Sequence, residues 1–144
     1  MILPDVNVLL FAVNTASEQH AAALEAMKDG YAAPRGVAFA WVSLLAFLRL
    51  STRSGIFSKP LSVEDALRVI GHWLDHPNAQ VVQPGEQHID VLGRLLVAAG
   101  TAGNLTTDAH LAALAIEHDA TIVSFDRDFA RFADVQWTLP DATK

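Results

Sequence analysis

The chain has 144 residues, a formal net charge of −6, 51% hydrophobic residues and no cysteine. That length fits one domain with a real core. The absence of cysteine excludes disulfides, thiolate zinc sites and a cysteine nucleophile, and no apolar run reaches the roughly 18 residues of a membrane span. The ten Lys and Arg are spread thinly, with a loose cluster at Arg49, Arg53 and Lys59. A protein gripping duplex nucleic acid through its phosphates usually carries a basic patch. An acidic domain can still act on nucleic acid if its negative charge is gathered at a metal site. The N-terminus has no basic leader, so a signal peptide is not expected, and the absence of cysteine fits a reducing compartment such as the cytoplasm.

In chain order, residues 1–4 read as a short buried strand, with Pro4 at its end. Asp5 then opens a helix to about Val13. Ser17 and Glu18 are expected to start the next helix, and Gly30 to end it. Residues 37–40 read as a strand. Val42, Leu45, Phe47 and Leu48 fall at helical spacing over 41–52. A loop carrying Ser54, Gly55, Ser58 and Pro60 follows. Ser62 caps a helix that Pro77 stops. Residues 79–82 read as a strand and 87–99 as a helix ended by Gly100. A helix is expected over 108–118, with Thr107 or Asp108 as its cap. The segment Thr121-Ile122-Val123-Ser124 is a short β-branched strand. A short helix near Phe129, which Asp128 is expected to cap, and a strand near 135–138 complete a single domain over 1–140, with 141–144 as a tail. Strands alternating with helices argue for a parallel sheet covered on its faces.

Three acids occupy comparable places. Asp5 follows the first strand, Asp126 follows the strand at 121–124, and Asp108 opens the helix leading into that strand. All three fall at the carboxyl end of a parallel sheet, where open α/β folds build their sites. Unpaired carboxylates gathered there repel each other and raise one another's pKa values. A hard divalent cation with oxygen ligands, Mg²⁺ or Mn²⁺, resolves the conflict. It also activates water against a phosphodiester.

Three stretches carry a resemblance: LPDVNVLLFAV at the start, AFLRLST in the middle and DAHLAALAIEHDATIVSFDRDFARF near the end. Together they resemble PIN domains, in particular the VapC-type toxins of bacterial toxin–antitoxin pairs, over the whole chain. The resemblance implies a three-layer α/β/α sandwich with a mainly parallel sheet. It implies a Mg²⁺- or Mn²⁺-dependent endoribonuclease that hydrolyses RNA and is neutralised by a cognate antitoxin. Self-association as a homodimer is common in the family. Asp5, Asp108 and Asp126 match family acids that serve as metal ligands and catalytic groups. Asn7 and Ser124 match the polar residues that steady them.

One departure stands out. The family commonly has a Glu in the helix that here reads Trp41-Val42-Ser43-Leu44-Leu45-Ala46-Phe47-Leu48-Arg49, and this segment has no acid. Phe47 is expected at the Glu position, Ser43 as a polar substitute, and Glu18 or Glu64 as acids supplied from elsewhere. Asp128, His110 and Arg49 are further candidates near the site or its RNA. His72 and His76, four apart, are read as a solvated helix face. The rival class is a PIN-like binding module that has lost its activity with its Glu. Haloacid dehalogenases want a second Asp where this chain has Asn7, and a receiver domain wants a Lys that 124–140 lacks.

Overall fold

The structure, a computed structural model, describes residues 1–141; most of the expected tail at 141–144 lies outside them. Five strands form one sheet in the order β3-β2-β1-β4-β5. They are β1 (Ile2–Pro4), β2 (Val37–Phe39), β3 (Ala79–Val81), β4 (Thr121–Val123) and β5 (Trp137–Thr138), and every pair is parallel. Helices α1 (Val6–Val13), α2 (His20–Ala32), α3 (Trp41–Thr52) and α4 (Val63–Asp75) cover one face, and α5 (His88–Ala99) and α6 (Thr106–Glu117) the other.

Each strand feeds both layers because successive side chains point to opposite faces. Ile2 and Val123 pack with α1–α4, while Leu3 and Ile122 pack with α5 and α6. On β2, Val37 and Phe39 serve the first layer and Ala38 the second. α6 is buried along most of its length, through Ala109, Leu111, Ala112, Ala113, Leu114 and Ala115. Its C-terminus is pinned by Arg35, whose guanidinium donates to the carbonyls of His118 (2.8 Å) and Asp119 (2.6 Å). The first is the C-cap carbonyl of α6 and the second lies just beyond it.

The element bounds differ from the sequence reading in a few places. α2 starts at His20 with no side-chain cap, and Ser17 instead bonds to Gln19. Gly30 does not end α2 but lies buried within it. A Cβ there would stand 2.7 Å from Ile2 Cγ1 and 3.0 Å from Val37 Cγ2. This glycine is therefore a packing requirement of α2 on the sheet, not a stop. α6 starts at Thr106, without the side-chain cap expected from Thr107 or Asp108.

A carboxylate cluster at the carboxyl ends of β1 and β4

The central strands β1 and β4 lie side by side, with Pro4 opposite Val123. The residues that follow each strand therefore meet. The Asp5 N–H donates to the Val123 carbonyl (2.9 Å), which ties the two strand ends together. Asp5 is the N-cap of α1, and its Oδ1 accepts from the Val6 N–H (2.8 Å). Its other oxygen, Oδ2, accepts from Ser124 Oγ (2.7 Å) and, at longer range, from Asn7 Nδ2 (3.5 Å).

Ser124 is fully buried and its hydroxyl is a hub. It donates to Asp5 and accepts from Asn7 Nδ2 (3.2 Å) and from the Asp126 N–H (3.0 Å). Asn7 Oδ1 in turn accepts from the Phe125 N–H (3.2 Å). Trp137 on β5 donates its indole N–H to the Ser124 carbonyl (3.0 Å). One serine and one amide thus fix the turn that carries Asp126 against the strand end that carries Asp5.

Asp126 caps the 3₁₀ helix Arg127–Arg131, with its Oδ1 accepting from the Asp128 N–H (2.9 Å). The sequence reading gave that role to Asp128; the extended backbone of Asp126 makes it the cap residue and frees the Asp128 carboxylate. Asp108, in the first turn of α6, caps nothing and comes to the same place. Carboxylate oxygens of Asp108, Asp126 and Asp128 all lie within 4.8 Å of one another. Among the described residues, no Lys or Arg pairs with any of these acids or with Asp5.

The electrostatic consequence is direct. Burial pushes the Asp5 carboxyl up; hydrogen bonds from Ser124 and Val6 oppose the rise and the Asp126 charge adds to it. Asp108 is pushed up to about 6, first by burial and then by the charges of Asp5, Asp126 and Asp128. Unpaired acids held against their own repulsion are an all-oxygen donor set that a hard divalent cation satisfies.

The other expected residues fall less uniformly. Ser43 is buried and lines a cavity of about 40 Å³ with Asp5, Thr107 and Asp108. Ala46 lines it too, and Phe47 does not. Phe47 is fully buried, edge-on to Trp73 with ring centroids 4.8 Å apart. Ser43 faces the acids as the sequence reading suggested, but the residue beside it on α3 that does so is Ala46 and not Phe47. Arg49, Glu18 and Glu64 do not line this cavity; Arg49 is exposed and lies about 9 Å further along α3 than Ser43. His110 faces α5, where its Nδ1 meets His88 Nε2 at 2.8 Å. His72 and His76 are exposed, and His76 stacks on Tyr31. Local sequence gave no signal for Ala46, which carries no chemistry of its own, and marked Thr107 only as a cap candidate.

The profile of the PIN domain family matches residues 2–135. The chain belongs to the PIN-domain family. Within it the chain is VapC-like. It is 49% identical over 142 residues to Ribonuclease VapC37 of Mycobacterium tuberculosis, covering 99% of both chains. It is 42% identical over 140 residues to Ribonuclease VapC33 of the same organism, covering 97% of this chain and 98% of that one. The structure of VapBC2 from Rickettsia felis bound to a promoter DNA fragment matches this PIN domain with a TM-score of 0.69 at 19% identity, covering 98% of this chain and 100% of that one. VapC20 of M. tuberculosis, described as a sarcin-ricin loop cleaving toxin, matches with a TM-score of 0.66 at 18% identity, covering 94% and 99%.

Proposed function

We propose that this PIN domain is a Mg²⁺- or Mn²⁺-dependent endoribonuclease toxin of the cytoplasm, held silent by a cognate antitoxin. The observation that carries the reading is the group of aspartates at one sheet end with no basic partner among the described residues. Asp108, Asp126 and Asp128, whose oxygens lie together, and Asp5, whose charge acts on Asp108 and feels Asp126, would hold the ion. A divalent ion bound there supplies Lewis acidity and lowers the pKa of a water. Asn7 and Ser124 orient the Asp5 carboxylate by donating to it, a supporting role that metal-site partners commonly serve, and the Ser124 bond opposes the rise of its pKa. Among the described residues no Lys or Arg pairs with the cluster, so its charge stays available to the ion and, through it, to an RNA phosphate.

Relatives named as ribonucleases, and solved structures that are VapBC complexes, support both substrate class and partner. Exposed Trp41 and Leu45 on α3, and Val63 and Leu67 on the packed helix α4, offer apolar area for a partner protein. Among the described residues no helix is long and apolar enough to cross a membrane. Homodimer formation belongs to the same reading and is checked by light scattering on the isolated chain.

The test is cleavage of RNA by a clean preparation with Mn²⁺, set against Asp5→Asn. Loss of cleavage in the variant supports the reading; equal cleavage by both overturns it. A second reading has one observation in its favour: α3 brings Ser43 and Ala46, not a carboxylate, to the acids. A silent binding module predicts no Mn²⁺ binding by the wild type.

A further inference from the structure

Away from the carboxylate cluster, α5 and α6 are joined by a second polar group that the nuclease reading does not use. His88 opens α5, and His110 and Glu117 lie on α6. His88 Nδ1 meets Glu117 Oε2 at 2.5 Å, and His88 Nε2 meets His110 Nδ1 at 2.8 Å. The other Glu117 oxygen accepts from the Gly85 N–H (3.0 Å). The side chains of His88 and Glu117 are only 13% and 11% exposed. Nearby His118 is already occupied, with its Nε2 on the Gln83 carbonyl (2.8 Å).

With both rings neutral, the bond pattern sets the tautomers. Glu117 accepts, so His88 carries its proton on Nδ1 and presents a bare Nε2. His110 must then donate from Nδ1 to fill the gap. Two imidazole nitrogens therefore face each other across a single proton, and one ring is backed by an anchored carboxylate. That backing is the arrangement in which histidines bind transition metals: the ring nitrogen remote from the metal donates to a carboxylate, which sets the tautomer and raises ligand basicity.

We propose that His88 Nε2 and His110 Nδ1 form a binding site for a borderline transition-metal ion such as Zn²⁺, with Glu117 as the positioning carboxylate. The ion takes the place of the bridging proton, and His110 carries its proton on Nε2 instead. With Zn–N bonds of about 2.0–2.1 Å in a tetrahedral site, the two nitrogens open to about 3.3 Å, a shift of about half an ångström. Water fills the remaining positions, since among the described residues no third His, Cys, Asp or Glu joins these two nitrogens as a ligand group. Imidazole ligands also separate this site by chemistry from the oxygen-only cluster, which suits hard ions. Metal here staples α5 to α6, the helix that carries Asp108.

The experiment is nitrogen NMR of the histidine rings in the tag-free wild-type chain, titrated with Zn²⁺ and separately with Mg²⁺. The site predicts that Zn²⁺ shifts His88 Nε2 and His110 Nδ1, that His110 switches its protonated nitrogen, and that Mg²⁺ moves neither. Glu117→Gln should weaken Zn²⁺ binding at these rings by about 10- to 100-fold. Unmoved nitrogens on Zn²⁺ addition overturn the proposal, as does an equal response to Mg²⁺ or an unchanged affinity in Glu117→Gln.

Discussion

Ser124 Oγ donates to Asp5 Oδ2 at 2.7 Å across 119 residues of sequence, and the same oxygen accepts from Asn7 and from the Asp126 backbone. Ser124→Ala removes all three bonds at once. It leaves the Asp126 N–H without this acceptor and the Asn7 amide with only its longer bond to Asp5 (3.5 Å), and takes from Asp5 a donor that opposes the rise of its pKa. Leaving a buried donor unsatisfied costs about 1–3 kcal/mol. Chemical denaturation should show a loss in that range. Mn²⁺ affinity should fall about 10- to 100-fold, the usual effect of removing a residue that orients a ligand. A calorimetric Mn²⁺ titration that finds the affinity unchanged would show that Asp5 does not depend on this bond.

Asp108 gives a pH dependence of known sign. Its carboxyl is pushed up to about 6 in the folded chain, from an ordinary 3.8. Between those values the folded chain binds more protons than the unfolded one. Stability therefore falls as pH rises through that window, and the penalty is complete above about 6. The group is only half-buried, so solvent screening leaves about 1 kcal/mol. Asp108→Asn, free of metal, should melt about 2–4 °C above the wild type at pH 7. The gap should close near pH 4. An equal gap at both pH values would assign the effect to packing instead of charge.

Gly30 supplies a prediction about the scaffold. Its missing side chain lets α2 lie against Ile2 and Val37, the residues that begin β1 and β2. Gly30→Ala improves helix propensity by up to about 1 kcal/mol but overpacks a tight contact at a cost of about 1–3 kcal/mol. Because Ile2 can yield only in part beside Val37, a net loss of about 1 kcal/mol is the expected outcome of urea denaturation. A gain in stability would mean that α2 moves freely on the sheet.

The same glycine shows where sequence reasoning stops. Gly30 reads as a helix stop, since glycine usually is one; only the neighbouring strand reveals that it serves packing. Asp5 and Asp126 were legible because β-branched and apolar runs mark β1 and β4, and a parallel sheet puts their carboxyl ends together. Asp108 was legible from the order of helix and strand. The division of labour between Asp126 and Asp128 was not, because either acid suits a cap and only the backbone angles at Asp126 decide. His88 and Glu117 left no trace: they lie 29 residues apart, and nothing local requires them to meet.

The register of α3 against the acids is the remaining point, and it can be tested by placing an acid on either side of it. Ala46 lines the cavity beside Asp5 and Asp108, whereas Phe47 is fully buried against Trp73. Ala46→Glu adds a like charge to the cluster, so without metal its melting temperature should fall below that of the wild type. With Mn²⁺ the order should reverse. A tenfold tighter site adds about 1.4 kcal/mol at saturating ion, or about 2–4 °C at this chain length. Phe47→Glu should behave differently in kind. It deletes a buried ring, at about 3–5 kcal/mol, and puts an unpaired carboxylate in its place. Mn²⁺ should not rescue it. Rescue of Phe47→Glu but not Ala46→Glu would rotate α3 by one residue, and would return the missing acid to the position that the sequence alone suggests.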